Sequence, residues 1–120
     1  MTVATICSSW SKPTPTRAEP VIVEHALLPV AVADRAAFEA AMQEAIPLIS
    51  ASPGFAGIKI HSPVGDGGHY LLLVRWQRIE DHRDGFRLSD QYQHWRVLLH
   101  PFYASLPAVT YFQDGAVTDD

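Results

Sequence analysis

Gly68–Tyr103, GHYLLLVRWQRIEDHRDGFRLSDQYQHWRVLLHPFY, passes from a strand pattern into a helical one within 36 residues. His69–Trp76 is apolar on both alternating sides, Leu71 and Leu73 on one, Tyr70, Leu72, Val74 and Trp76 on the other. That is the pattern of a strand buried on both faces. A short helix is expected around Glu80–Phe86, and Ser89 stands where it can cap a longer helix over Asp90–His100. Tyr92, Trp95, Leu99 and Phe102 form one apolar stripe of that helix, and Pro101 marks its end. The stretch also carries five arginines, with His82, His94 and His100 beside Trp76 and Trp95. Such a concentration of titratable and aromatic side chains builds either a pocket or a dense polar interface.

Working outward, Val21–Leu28 (VIVEHALL) reads as a strand that is apolar on both faces apart from Glu24 and His25. Asp34 can cap a helix over Arg35–Ser50, whose Phe38, Ala41, Met42, Ala45 and Ile49 share one face. Pro47 denies that helix a backbone bond, so a kink or an early end is expected there. Ser52-Pro53-Gly54 is a turn, Phe55–His61 a second strand, Pro63–Gly68 a loop, and Ala108–Gln113 a fourth strand. The order is β-α-β, β-α-β. This is the ferredoxin-like split α+β arrangement, a four-stranded antiparallel sheet with both helices on one face. Helices cover only one side, yet the first and third strands are apolar on both. A homodimer through the open sheet face is therefore expected. The alternative is that residues 1–20 fold across that face.

One domain is expected from 120 residues, 48% of them apolar and 18% charged. Residues 1–20 read as an arm or linker, in which Val3–Ile6 can add an edge strand; 21–115 form the domain and 116–120 a polar tail. A net charge of −4, with the arginines of 75–96 interleaved with Glu80, Asp81, Asp84 and Asp90, argues against nucleic acid as a partner. Cys7 is the single cysteine, so neither a disulfide within the chain nor a cysteine metal cage is expected. No apolar run approaches the roughly 20 residues of a membrane span. Lys12 follows the mildly apolar start, the reverse of a signal peptide, and a cytoplasmic location without membrane attachment is expected. GxGxxG, P-loop and GxSxG motifs are absent. His94 and His100 lie roughly 600° apart around a helix and point to different faces, which speaks against a metal site.

The strand YLLLVRW, then EDH, then GFRLSDQYQHWRVLLHPFY and finally PAVTYF resemble the antibiotic biosynthesis monooxygenase-like family, over roughly Val21–Phe112. That resemblance implies a small dimeric α+β barrel of ferredoxin-like units. It also implies oxidation of a small aromatic substrate, anthrone- or quinol-like, by molecular oxygen without metal, flavin or other cofactor. Trp76 matches the tryptophan that closes the third strand of similar polyketide oxidases, and Arg96 an arginine of their last helix. Where they place an asparagine four positions before the tryptophan this chain has Leu72, and where they place a tyrosine six positions after it stands His82. The haem-degrading branch uses a late helical histidine and a first-strand asparagine. The nearest positions here are Arg96 and His25, which points away from haem degradation.

Cofactor-free oxygenation needs a dry pocket, a base and a cation for the developing anion. His82 is the first candidate for the base and His25 the second, because imidazole titrates near working pH. Arg96 or Arg87 can stabilise a phenolate or peroxide. Trp76, Phe86, Trp95 and Phe102 can sandwich a flat ring, with Leu72 as an apolar wall. The competing reading is a dimeric, non-catalytic module that binds a small hydrophobic ligand. In that reading Trp76, Trp95 and Phe102 are core, and Arg87 and Arg96 pair with Glu80, Asp84 or Asp90.

Overall fold

Alternating β-branched, aliphatic and aromatic residues form four strands in the computed structural model, which describes residues 21–117. They are β1 (Ile22–Leu28), β2 (Phe55–His61), β3 (Tyr70–Trp76) and β4 (Val109–Gln113). The expected arm at 1–20, the strand at Val3–Ile6, Cys7 and residues 118–120 lie outside the described residues. The sheet runs in the order β2-β3-β1-β4 with every neighbouring pair antiparallel. Helices α1 (Arg35–Ser50) and α2 (Asp90–Leu99) complete the split βαβ-βαβ topology. The expected α+β ferredoxin-like fold is the observed one.

Register sorts the two faces. Glu24 lies opposite Val74 and Tyr111, and Ala26 opposite Leu72 and Val109. Glu24, Ala26 and Leu28 are buried beneath the helices with Tyr70, Leu72, Val74 and Trp76. Phe38, Met42, Ala45 and Ile49 of α1 and Trp95 and Leu99 of α2 close this core from above. The Phe38 ring sits 4.8 Å from that of Tyr70 and 5.8 Å, edge-on, from that of Phe102. On the opposite face Val23, His25 and Leu27 alternate with these residues, beside Leu71, Leu73 and Phe112. Leu27 and Phe112 are about half exposed there, at 47% and 52%.

Local chemistry explains most of the element ends and two departures from expectation. The Ser89 hydroxyl accepts the Tyr92 backbone N–H at 3.2 Å, so α2 is capped as its sequence implies. Asp34, by contrast, makes no side-chain cap; a 3-10 turn at Val32–Asp34 leads into α1 instead. Nor does α1 stop at Pro47. It continues to Ser50, because Pro47 faces outward while the buried Ile49 anchors the last turn. The missing N–H costs only one bond on the solvent side.

The segment expected as a short helix is a π-type turn at Asp81–Gly85 followed by a 3-10 turn at Phe86–Leu88. It is docked against the turn between α1 and β2 through Gly54. That residue has φ 85, and a Cβ on it would lie 2.0 Å from Asp81 Oδ2. The Asp81 carboxylate accepts the Arg78 N–H at 3.1 Å, and the Gly54 carbonyl accepts the Gln77 N–H at 2.8 Å. These contacts hold the turn whose second residue is His82. No helix among the described residues is long and apolar enough to cross a membrane.

Candidate functional site

Between the helix-side face of β1 and β4 and the segment 82–107 lies a cavity of about 650 Å³. Leu72, His82, Phe86, Arg87, Trp95 and Arg96 line it, so six of the nine residues singled out from the sequence converge there. The remaining three stand elsewhere. Trp76 is fully buried behind the wall, with its ring 5.5 Å from that of His82. Phe102 packs on Phe38 in the core. His25 is a correction: it points to the open face, where its ring meets Phe112 edge-on at 5.6 Å. Its immediate neighbour Glu24, of opposite parity on the strand, is the residue that faces the cavity.

Glu24 is 4% exposed, and so is His82. Trp76 Nε1 donates to Glu24 Oε1 at 2.9 Å, Glu24 Oε2 lies 3.4 Å from His82 Nε2, and His82 Nδ1 lies 2.7 Å from the Tyr111 hydroxyl. The chain Glu24–His82–Tyr111 thus links a buried carboxyl to a tyrosine, with all three residues on the cavity wall. Burial pushes the Glu24 carboxyl up to about 7, against the opposing pull of the Trp76 N–H and the Arg87 charge. Burial, then Arg87, pushes His82 down to about 4. Burial also raises the Tyr111 hydroxyl, with the nearby Glu24 adding to the shift.

The opposite shifts favour the proton on Glu24 over His82 below neutrality, and the tautomer of His82 sets the direction of its hydrogen bond to Tyr111. With Glu24 protonated its carboxyl faces Nε2 across 3.4 Å, the Nδ1–H tautomer of His82 donates to Tyr111, and the tyrosine proton is free to face the cavity. When Glu24 loses its proton near pH 7, the Nε2–H tautomer of His82 faces the carboxylate across 3.4 Å. Nδ1 then accepts from Tyr111, whose oxygen lone pairs turn toward the cavity. A proton taken up at Tyr111 can therefore be passed inward to Glu24.

The cationic side chains divide differently from either sequence expectation. Arg83 takes the acidic partners, holding Asp84 at 3.0 Å and Glu80 at 3.9 Å. Arg96 reaches only the neutral Gln93, at 2.9 Å, while Arg87 lies 5.8 Å over the Tyr92 ring. His94 lines a separate groove of about 300 Å³ with Glu44, Leu48, Val97 and Leu98, and His100 borders the main cavity, as their helical spacing implies. Among the described residues no three His, Cys, Asp or Glu side chains converge as a metal centre would require.

Glu24 and Tyr111 were not singled out from the sequence. The usable signal was parity: Glu24 alternates with Ile22, Ala26 and Leu28, and Tyr111 with Val109, at period two.

The family model for antibiotic biosynthesis monooxygenase matches residues 21–98. The uncharacterized protein YczJ of Bacillus subtilis (strain 168) is 44% identical over 77 residues, 64% of this chain and 81% of that one. A Bordetella bronchiseptica protein carrying the antibiotic biosynthesis monooxygenase name superposes with a TM-score of 0.75 at 31% identity, over 80% of this chain and 98% of that one. The ActVA-Orf6 monooxygenase of Streptomyces coelicolor, solved with the ligand nanaomycin D, shares the fold at a TM-score of 0.70 and 20% identity, over 84% and 94% of the two chains. With the family model matching residues 21–98, well over half of the chain, the chain belongs to the antibiotic biosynthesis monooxygenase family.

Proposed function

We propose that this protein is a cofactor-independent monooxygenase that oxidises a small aromatic, anthrone- or quinol-like substrate with molecular oxygen inside the helix-side cavity. The observation that carries this reading is the buried Glu24–His82–Tyr111 chain ending on a cavity lined by Phe86, Tyr92 and Trp95. A buried carboxyl raised toward neutrality is costly to keep and suits a base rather than a packing role. In this reading Tyr111 meets the substrate and His82 relays its proton to Glu24. The resulting carbanion passes an electron to oxygen, and recombination gives a carbon-bound peroxide. Loss of water from the hydroperoxide leaves a new carbonyl, so CH2 and O2 become C=O and H2O.

Arg87, whose charge is felt at Glu24, His82 and Tyr111, is the cation placed for the developing anion. The sequence left that part open between Arg96 and Arg87; Arg96 is the larger of the two charges felt at His100. Homodimerisation through Val23, Leu27, Leu71, Leu73 and Phe112, and a cytoplasmic location, belong to the same reading.

Oxygen consumption with anthrone and 1,4-naphthoquinol in chelator-treated buffer tests it. Uptake above the spontaneous rate is expected, falling about a hundredfold in His82→Ala that keeps its circular dichroism spectrum. The same rate in His82→Ala removes the relay from the mechanism. No uptake with any such substrate leaves a non-catalytic module for a small hydrophobic ligand.

A further inference from the structure

The cavity concentrates positive charge in an acidic protein. Three of the nine Lys and Arg residues of the chain line it, Arg83, Arg87 and Arg96, against one of the thirteen acidic residues, Glu24. Arg83 is neutralised by Asp84. That leaves two guanidinium groups without an acidic partner among the described residues, more than one developing anion needs. Their positions differ as well. Arg87 lies over the Tyr92 ring, whereas Arg96 stands one helical turn before His100 and lines the cavity with it.

We propose that Arg96 and His100 form a seat for a permanent anion, so that the ligand is an aromatic acid. It would be a planar ring system with a carboxylate at the Arg96 end and its reacting carbon toward Tyr111. This inference rests on the cavity being a ligand site, as proposed above, but not on turnover. Tyr92, Phe86 and Trp95 supply the apolar lining for the ring system. Arg96 binds only a neutral amide, so its exchange of Gln93 for a carboxylate leaves no buried charge unpaired. Burial and the two arginines press His100 toward its neutral form, from which a ring N–H can still donate to a carboxylate.

The test uses 2-naphthoate and its methyl ester, neither of which the enzyme can oxidise as a quinol. Binding is followed by tryptophan fluorescence and calorimetry. The acid is expected to bind about tenfold tighter than the ester, and Arg96→Met is expected to bring the two within about twofold. Arg96 is exposed, so that variant keeps the fold. Equal affinities in the parent protein, a preference that survives in Arg96→Met, or no binding of either compound would overturn the proposal. Tight, Arg96-dependent binding of the acid together with no oxygen uptake on anthrone or 1,4-naphthoquinol would instead uphold the anion seat while removing the oxygenase reading.

Discussion

Glu24→Gln is expected to lower turnover at pH 8 by about a hundredfold or more while leaving the fold in place. The amide still accepts the Trp76 indole N–H through its oxygen, at the position where Glu24 Oε1 sits 2.9 Å from it. It cannot take a proton from His82, so the relay has no terminus. In the parent protein the proposed activity is expected to rise with pH through about 7, where burial places the Glu24 carboxyl. The variant loses that limb of the profile. An unchanged limb would assign it to another group.

Stability provides a second readout whose sign is fixed by linkage. Between pH 4.5 and 6.5 the unfolded chain holds one proton on this pair, on the histidine. The folded chain also holds one, on Glu24, because the carboxyl is raised to about 7 and His82 is lowered to about 4. The two slopes cancel, and the pair contributes no pH dependence across that window. In Glu24→Gln only the histidine remains. The unfolded state gains a proton below pH 6.5 that the folded state refuses until about 4, so stability falls on acidification by up to about 3 kcal/mol. A variant lacking His82 shows the reverse, losing stability as pH rises from 4.5 through 7. Urea melts at the two ends of the window measure both.

Leu73→Arg is expected to convert a dimer into a monomer. Leu73 sits in the middle of the open face, between His25 of β1 and Lys59 of β2 in the strand register. Neither neighbour offers a carboxylate to an incoming guanidinium. Across a two-fold interface the new charge would appear twice, each burial costing several kcal/mol without a partner. In a monomer the same side chain would simply reach water and cost little. Light scattering at micromolar concentration separates the cases. A parent protein that is already monomeric, or a variant that stays dimeric, rules out this face as the interface.

The topology was legible because strand and helix periods differ and because Pro and Gly clusters separate the elements. Which side of a strand faces the helices was not. β1 and β3 are apolar on both faces, so hydrophobicity could not tell the parity of Glu24 from that of His25, and the chemically familiar imidazole drew the assignment. Register resolves it, since Glu24 falls opposite Val74 and Tyr111, both on the helix side. Tyr111 was hidden for a related reason: AVTYFQ reads as an ordinary edge strand, and its pairing with β1 is a contact across more than 80 residues. His82, Phe86 and Arg87 were legible because they lie in one short segment that had to roof something. Trp76 was recognised for the right element, but its part is to hold Glu24 from behind rather than to touch a ligand.

The claim on which the rest depends is that Glu24, His82 and Tyr111 share one mobile proton. Nitrogen-15 NMR of the His82 ring across pH 5–8 tests it most directly, because both ring nitrogens report their protonation separately. The account predicts an imidazole that stays neutral throughout and exchanges its proton from Nδ1 to Nε2 near pH 7, as Glu24 ionises. A His82 that becomes imidazolium at an ordinary histidine pH, or that keeps a single tautomer across the range, would contradict it.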